Sequence, residues 1–191
     1  MKKIFLDCGY HLGEGLKEFT EILGINSEWE VYAFEANPRC EINNKIDQHF
    51  PIIVNAIEQA IWTNNQKLIF NCEDQDSSKS PKQNSTHKND GWGSTLQVVE
   101  SIHSFGEQIE IQALDFSQFV AELPETEIYC KMDIEGAEFA VLRKMIKDQS
   151  IKKIKKIWIE WHEGDLHSES SDTAQQLKNE LSKYTEIVNW K

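Results

Sequence analysis

Long apolar segments, cysteine pairs and an excess of basic residues are all missing from this chain of 191 residues. No apolar run approaches the roughly 20 residues of a membrane-spanning helix, and the first residues have the pattern of a strand rather than a signal peptide, so we expect no membrane partner. The four cysteines form no C-x-x-C pair, which favours reduced, partly buried thiols and a cytoplasmic location. Acidic residues outnumber basic ones by 32 to 20 and give a net charge of −12, which disfavours binding to nucleic acid.

The length of the chain predicts a single domain over residues 1–191 with a sizeable core. No internal repeat or linker divides it. Residues 73–94 are rich in Asp, Ser, Lys, Asn and Gly and almost free of apolar residues, which predicts a long inserted loop of the kind that forms a lid or is disordered. Trp92 is the large apolar residue of this loop, and we weigh stacking on a sugar ring equally with anchoring of the loop.

The chain opens with a pattern that is typical of a strand, a tight turn and a helix. Residues 4–6 form a continuous apolar run, as expected for a strand that is covered on both faces. Asp7 lies at the carboxyl end of this strand, and Gly9 allows the backbone to turn sharply or to approach a ligand. Gly13 and Gly15 then let a helix begin close to the strand, which is the geometry in which open α/β sheets bind nucleotide-like ligands.

Strand-like and helical patterns alternate along the chain, which predicts an α/β fold with a mostly parallel sheet and right-handed crossovers. Residues 64–66 have the composition of a hairpin turn, so the two strands that flank them are expected to pair. Asp115 is expected to cap a short helix that ends at Leu123. The predicted strands are residues 4–7, 30–35, 51–56, 60–63, 67–72, 108–114, 127–133, 154–161 and 185–190, and the predicted helices are residues 13–24, 38–50 and 171–184, with a further helix from about residue 136.

Four of the predicted parallel strands end in an acidic residue, namely Asp7, Glu35, Asp133 and Glu160. Because parallel strands share one carboxyl edge, these acids are expected to converge beside the glycine turn. Glu35 lies 28 residues after Asp7, where nucleoside sites place an acid on the two ribose hydroxyls. The glycines do not follow the pattern G-x-G-x-x-G, so the turn lacks the glycine spacing that binds a pyrophosphate. A nucleoside without phosphates suits the acidic edge better, and S-adenosylmethionine, with its positive sulfonium, suits it best.

Five segments together resemble the FkbM-type family of S-adenosylmethionine-dependent methyltransferases over nearly the whole chain. The most specific is K-M-D-I-E-G-A-E at 131–138, and the others are D-C-G-Y-H-L-G at 7–13, V-Y-A-F-E-A-N-P at 31–38, G-S-T-L at 93–96 and I-Q-A-L-D-F at 111–116. The resemblance implies a Rossmann-like class I methyltransferase fold with helices on both faces of the sheet. It also implies O-methylation of a hydroxyl on a sugar, a glycan or another small metabolite. The chain is shorter than many relatives and starts directly at the first strand, which fits a compact enzyme or a domain excised from a longer protein.

The resemblance also implies which residues bind the cofactor. The glycine turn would hold the methionine end, and Glu35 would hold the ribose. The end of the third strand would flank adenine, and Asp133 would lie beside the transferred methyl group. The residues implied in cofactor binding are Asp7, Gly9, His11, Gly13, Glu35, Ala36, Ala56, Ile57 and Asp133.

Methyl transfer to a sugar hydroxyl needs in-line positioning and a base near the departing proton. His162 is the first candidate for this base, because it follows Glu160 at the carboxyl edge and its unperturbed pKa is near neutral. A solvated position after a strand explains His162 equally well. Asp133 is the second candidate, and Glu160 completes the catalytic set. The same three residues, Asp133, Glu160 and His162, offer ligands for Mg²⁺ or Mn²⁺, although nothing in their spacing demands a metal.

Two other classes of protein share parts of this pattern. A non-catalytic, nucleoside-binding scaffold of methyltransferase fold would show a broken cofactor site, whereas the glycine turn and Glu35 are both present. An NAD-dependent oxidoreductase fits the fold but lacks the phosphate-binding glycine fingerprint. A ribose methyltransferase acting on RNA would need basic residues around the cleft, and the segment at 160–165 reads E-W-H-E-G-D. The sequence therefore favours an enzyme that acts on a small molecule or a glycan.

Overall fold

The structure is a computed structural model, and it describes residues 2–42, 52–73, 96, 105–162 and 170–190. Two sheets and four α-helices make up this part of the chain. The strands are β1 (Lys3–Cys8), β2 (Trp29–Phe34), β3 (Val54–Ile57), β4 (Ala60–Trp62), β5 (Gln66–Glu73), β6 (Phe105–Asp115), β7 (Ile128–Met132), β8 (Ile154–Ile159) and β9 (Glu186–Asn189). The helices are α1 (Glu14–Leu23), α2 (Phe116–Glu122), α3 (Glu138–Lys147) and α4 (Ser171–Leu181).

The larger sheet has six strands in the order β3-β2-β1-β7-β8-β9, and every neighbouring pair is parallel. The chain runs outward from β1 to β3 on one side and from β7 to β9 on the other. The order therefore reverses between β1 and β7, and such a switch point is where open α/β sheets form a ligand crevice beyond the strand ends. This arrangement confirms the predicted α/β fold and its mostly parallel sheet.

Side chains from β1 alternate between the two faces of this sheet. Phe5 packs in a cluster with Leu16 and Phe19 of α1. Leu6 belongs to the cluster on the other face, which also contains apolar side chains of α2, α3 and α4. Phe5 and Leu6 are both fully buried, as the continuous apolar run predicts. Helices therefore cover both faces of the sheet.

The predicted hairpin between residues 60–63 and 67–72 is wrong, because β6 lies between the two strands. The smaller sheet has the order β4-β6-β5, with β4 parallel and β5 antiparallel to β6. A direct pairing of β4 with β5 is limited by the three residues of β4, whereas β5 pairs with β6 from Gln66 to Glu73. The longer ladder satisfies more backbone groups. Asn65 in the turn also accepts a hydrogen bond from the N–H of Asp115, at 2.9 Å, which attaches the turn to the end of β6.

Two of the four described α-helices begin at a residue whose side chain caps the helix. The side chain of Asp115 accepts a hydrogen bond from the N–H of Gln118 at 3.0 Å, which confirms it as the cap of α2. Ser170 caps α4 in the same way through the N–H of Thr173, at 3.2 Å. Gly24 ends α1 with a left-handed φ of 64°. In the described part of the chain, no helix is long and apolar enough to cross a membrane.

Two predictions fall largely outside the described residues. A short 3-10 helix, Pro38–Cys40, begins where the helix over residues 38–50 is expected, but residues 43–50 lie outside the described part. The predicted loop over residues 73–94, including Trp92, lies outside it except for Glu73, which ends β5.

All four cysteines are buried, and none of them is in a disulfide bond. Cys8 and Cys130 lie on the neighbouring strands β1 and β7, with their Sγ atoms 3.7 Å apart. The thiols thus form no disulfide bond, in agreement with the reduced state that the sequence predicts, and they are buried more completely than the expected partial burial.

Candidate active site

The turn after β1 requires glycine at two positions. Gly9 has a φ of +82°, and a Cβ atom there would lie 1.8 Å from the carbonyl oxygen of Asp133. Gly13 has a φ of +93°, and a Cβ atom there would lie 2.5 Å from the hydroxyl oxygen of Tyr10. The turn is held against β2, since the N–H groups of Gly9 and Tyr10 both donate to the carbonyl oxygen of Phe34, at 3.0 and 2.9 Å. Close contact with β2 and with the residue that follows β7 thus excludes a side chain at position 9.

A cavity lies at this turn on the carboxyl edge of the large sheet, with about 880 Å³ of empty space that includes open solvent. Apolar side chains such as Phe34 and Ile61 form part of its wall, and acidic side chains such as Glu35, Asp133 and Glu135 form another part. The position matches the switch point between β1 and β7, where the fold is expected to bind a ligand.

Glu35 is a nearly buried carboxylate in the wall of the cavity, with 9% of its surface exposed. One oxygen, Oε1, accepts a hydrogen bond from the N–H of Asn37 at 2.7 Å, and Oε2 accepts one from the N–H of His11 at 2.6 Å. Burial raises the pKa of Glu35, and these two hydrogen bonds oppose the rise. A carboxylate oxygen accepts about two hydrogen bonds, so each oxygen retains capacity for one ligand hydroxyl.

Lys131 is a buried cation beside the cavity, with 2% of its surface exposed. Its Nζ lies 3.4 Å from Oδ1 of Asp7 and 3.6 Å from Oδ2 of Asp133, and it donates to the carbonyl oxygen of Gly9 at 2.6 Å. The ring centre of Trp190 lies 4.7 Å from the same nitrogen. Burial raises the pKa of Asp7 to about 6, against the opposing charge of Lys131. Burial also acts to lower the pKa of Lys131, but the two carboxylates outweigh it and raise that pKa.

His162 lies among three carboxylates at the carboxyl edge of β7 and β8. Its Nδ1 is 3.0 Å from Oε1 of Glu138, and its Nε2 is 3.5 Å from Oε2 of Glu135 and 3.9 Å from Oδ1 of Asp133. Burial alone would lower the pKa of His162, but the three carboxylates raise it to about 9. At neutral pH the imidazole is therefore a cation that donates from both nitrogens, so a role as general base requires that it first loses a proton.

Glu135 has an unusual backbone as well as an unusual charge environment. Its φ is 52°, and Gly136 follows with a φ of 94°. A left-handed conformation at a residue other than glycine costs on the order of 1–3 kcal/mol and is concentrated at functional sites. Burial raises the pKa of Glu135 to about 8, while the charge of His162 opposes the rise. A loop of unfavourable conformation thus places a carboxyl group in the wall of the cavity.

The family profile described as "Methyltransferase FkbM domain" matches residues 7–187. The chain belongs to the FkbM methyltransferase family. All five segments that suggested this family in the sequence lie within the matched range, and family membership supports methyl transfer as the general chemistry of the site. No individual curated protein matches the chain.

The crystal structure of methyltransferase FkbM from Methylobacillus flagellatus KT shows a similar fold, with a TM-score of 0.52 and 16% sequence identity. The match covers 96% of this chain and 38% of that chain. This chain therefore spans less than half the length of that solved protein. At this identity the likeness supports the fold alone, and it confirms the predicted Rossmann-like FkbM architecture.

Five of the residues predicted to bind the cofactor line the cavity of this FkbM methyltransferase domain, namely Gly9, His11, Glu35, Ala36 and Asp133. They come from the turn after β1 and from the residues that follow β2 and β7. The predicted convergence of strand-end acids is thus present for Glu35 and Asp133. His11 donates to Glu35 through its backbone N–H, and its ring nitrogen Nδ1 lies 3.4 Å from Glu14.

The other predicted cofactor residues, Asp7, Gly13, Ala56 and Ile57, are not among the residues that line the cavity. Asp7 is fully buried against Lys131, and Gly13 is the residue that precedes α1. Ala56 and Ile57 lie in β3, where the carbonyl oxygen of Ile57 accepts a hydrogen bond from the N–H of Glu35 at 3.1 Å. The wall near β3 contains Gln59, Ala60 and Ile61, which begin two residues after the end of the strand.

The three predicted catalytic and metal candidates, Asp133, Glu160 and His162, all follow β7 or β8. The N–H of Glu160 donates to the carbonyl oxygen of Met132 at 2.9 Å, and its charge raises the pKa of Glu135. Among the described residues, the group whose possible ligand atoms all lie within 4.8 Å of one another consists of Asp133, Glu135 and His162. Glu135 was missed, although it belongs to the K-x-D-x-E-G-x-E segment that identified the family.

Proposed function

We propose that this chain is an S-adenosylmethionine-dependent O-methyltransferase that acts on a hydroxyl group of a sugar or glycan. The observation that carries the proposal is the carboxylate of Glu35. It follows β2, lines the cavity and holds one backbone N–H on each oxygen. Its remaining acceptor capacity fits the two hydroxyls of a ribose. Membership of a methyltransferase family supports S-adenosylmethionine as the source of the methyl group.

The side chains around Glu35 fit a nucleoside that carries a positive charge. Glu14 and Asp133 also line the cavity, and their negative charges favour a sulfonium over a phosphate. Bound S-adenosylmethionine supplies an electrophilic methyl group. In this chain Glu35 holds the ribose, the turn that begins at Gly9 holds the methionine end, and the residues after β3 flank the adenine.

Asp133 is placed to receive the proton of the acceptor hydroxyl. Methyl transfer would form the carbon–oxygen bond as the sulfur–methyl bond breaks and the sulfonium leaves as a neutral thioether; the hydroxyl becomes strongly acidic in this step, so a carboxylate is a sufficient base. Asp133 lines the cavity, and its two oxygens face Lys131 at 3.6 Å and His162 at 3.9 Å. His162 is already a cation at neutral pH, so Asp133 takes the proton while the imidazole, 3.9 Å away, helps to position its carboxylate. Orientation of the hydroxyl toward the methyl group supplies the remaining rate acceleration.

The charge of the site bears on the class of acceptor. The acidic wall and the net charge of −12 repel phosphorylated acceptors and nucleic acids, whereas a neutral sugar hydroxyl meets no such barrier. The buried cysteines, none of which is in a disulfide bond, support a reducing, cytoplasmic environment.

Calorimetric titration of the purified chain with S-adenosylmethionine, and with NAD as a control, tests the proposal. We expect saturable binding of S-adenosylmethionine alone. A screen of sugar acceptors with the bound cofactor then measures methyl transfer. Absence of binding to either compound supports the non-catalytic scaffold instead, and binding of NAD alone overturns the assigned cofactor.

A further inference from the structure

Three side chains that offer metal-binding atoms meet at the wall of the cavity. Possible ligand atoms of Asp133, Glu135 and His162 all lie within 4.8 Å of one another. The Nε2 of His162 lies 3.5 Å from Glu135 and 3.9 Å from Asp133. Neighbouring ligand atoms around an ion such as Mg²⁺ are roughly 3 Å apart, given bond lengths of about 2.1 Å. Small side-chain rotations therefore bring the three atoms to coordinating distance.

The orientation of His162 is fixed from behind by Glu138. The carboxylate of Glu138 is fully buried, and its Oε1 contacts Nδ1 of His162 at 3.0 Å while it accepts the N–H of Ile134 at 2.8 Å. A carboxylate on one ring nitrogen directs the other nitrogen to a metal in many metal sites. This contact leaves Nε2 directed at Glu135 and Asp133.

Two further observations indicate that a positive partner belongs at this cluster. The second oxygen of Glu138, Oε2, is buried and has no hydrogen-bond partner among the described residues. Three carboxyl groups, those of Asp133, Glu135 and Glu138, also lie within 3.9 Å of the imidazole of His162. Burial of unbalanced charge is unfavourable, and a bound cation offsets it.

We propose that Asp133, Glu135 and His162 form a binding site for one divalent cation of the Mg²⁺ or Mn²⁺ type, with Glu138 as the residue that positions His162. Two carboxylates and one imidazole leave open coordination positions for water or for oxygens of a ligand. Asp133 and Glu135 line the cavity, so these open positions face the ligand space. This set of ligands differs in one residue from the set that the sequence suggested, because Glu135 replaces Glu160.

The role of this cation in the reaction rests on the proposed function. Two hydroxyls of the acceptor sugar occupy the open positions, which fixes the sugar and lowers the pKa of the hydroxyl that is methylated. The site thereby selects acceptors with two neighbouring hydroxyls over those with an isolated one. Binding of the cation itself does not depend on this role.

The test measures binding of Mn²⁺ alone to the full chain after treatment with a chelator, by electron paramagnetic resonance of free Mn²⁺ and by calorimetry. We expect one ion per chain. Glu135→Gln and His162→Gln each weaken the affinity at least about 10-fold, and Glu138→Gln weakens it about 10- to 100-fold. Glu125→Gln is the matched control, because Glu125 is an exposed carboxylate, with 86% of its side chain exposed, that precedes β7 at the opposite edge of the sheet.

Two outcomes of these binding measurements would overturn the proposal. Equal binding of Mn²⁺ by all five proteins means adventitious binding to an acidic surface, and unchanged binding by Glu135→Gln rejects the ligand set. Circular dichroism checks the folding of each variant, and the half-exposed Glu135 carries the test if the buried Glu138 variant does not fold. The titrations contain no S-adenosylmethionine. A separate titration of the chelator-treated protein with S-adenosylmethionine therefore shows whether the cofactor proposal fails independently of the metal proposal.

Discussion

The imidazole of His162 lies 3.0 Å from the carboxylate of Glu138, and this contact joins the chain after β8 to the first turn of α3. The same carboxylate accepts the N–H of Ile134, in the loop that follows β7. One buried acid thus ties together three segments of the active-site edge. Because the imidazole also faces Glu135 and Asp133, its charge state affects both stability and ligand binding.

His162→Gln tests the charge of this imidazole through the pH dependence of stability. The pKa of His162 is raised from 6.5 to about 9 in the folded chain. The protonated form is therefore stabilised by folding, which contributes roughly 3 kcal/mol at most below pH 6.5, and this contribution is lost as pH rises through 9. We expect the free energy of unfolding of the wild type to exceed that of the variant by the largest amount at pH 6. This difference should disappear by pH 10.

Urea unfolding in the presence of a chelator measures this difference at several pH values. Glu125→Gln serves as a control for general effects of pH on the acidic chain. A gap between wild type and His162→Gln that is constant from pH 6 to pH 10 would contradict the raised pKa.

Glu35→Gln tests the ribose assignment. The change removes the charge that two hydroxyls would contact, and hydrogen bonds to charged groups contribute on the order of 1.5–3 kcal/mol. We therefore expect the affinity for S-adenosylmethionine to fall roughly 10- to 100-fold in calorimetric titrations.

Glu30→Gln is the matched control for this experiment. Glu30 lies on β2, the strand that Glu35 follows, and its carboxylate accepts a hydrogen bond from the hydroxyl of Tyr32 at 2.5 Å. We expect the Glu30→Gln control to bind S-adenosylmethionine with the same affinity as the wild type. Equal affinity of wild type and Glu35→Gln would remove Glu35 from the cofactor site.

Gly9→Ala tests the close approach of the turn to β7. A left-handed φ costs alanine about 1–2 kcal/mol, and the added Cβ would also lie 1.8 Å from the carbonyl oxygen of Asp133. The strand must shift to relieve this contact, so we expect a loss of more than about 4 kcal/mol of unfolding free energy, at the upper end for single substitutions.

Gly24→Ala separates the two contributions. Gly24 also has a positive φ, of +64°, but a Cβ atom there meets nothing within 4 Å. Denaturant unfolding should show a loss of only about 1–2 kcal/mol for this variant. Similar losses for both variants would mean that the contact at position 9 relaxes without strain.

Much of the fold could be predicted because its determinants are local. The capping contact of Asp115 with Gln118 involves residues three positions apart, and the apolar run at residues 4–6 directly indicates burial on both faces. The wrong hairpin arose where pairing is not local. The partner of β5 is β6, which begins 32 residues after the end of β5, and no pattern within residues 60–72 indicates an intervening strand.

The same contrast between local and non-local determinants applies to the residues of the site. Parallel strands share an edge, so the sequence could predict that Glu35 and Asp133 lie near one another. Glu135 could not be placed, because its contact with His162 depends on a left-handed backbone in the loop after β7. The burial of Lys131 between Asp7 and Asp133 could not be predicted from the sequence either, since lysine is usually exposed.

The pair of Lys131 with Asp7 can be tested by a double-mutant cycle. Lys131→Met leaves the buried carboxylate of Asp7 and the partly exposed carboxylate of Asp133 without this cation, and loss of one partner of a buried ion pair typically costs about 3–5 kcal/mol. Asp7→Asn in the same chain removes one of these unpaired charges. We expect the double variant to be more stable than Lys131→Met in denaturant unfolding at pH 7, whereas additive losses would show that the two residues do not interact.

Asp7→Asn alone should change how stability depends on pH, and the direction follows from the raised pKa of Asp7. That pKa is about 6 in the folded chain instead of 3.8, because burial penalises the charged carboxylate more than Lys131 favours it. The folded chain therefore binds more protons than the unfolded chain between these values, and ionisation of Asp7 lowers stability as pH rises from about 4 to about 6. Asparagine has no such ionisation, so the stability of Asp7→Asn relative to wild type should rise over this window by up to roughly 3 kcal/mol. Urea unfolding of both proteins at pH 4, 5, 6 and 7 measures the change. A relative stability that falls with pH would mean that the ion pair with Lys131 outweighs burial and that the pKa of Asp7 lies below its usual value.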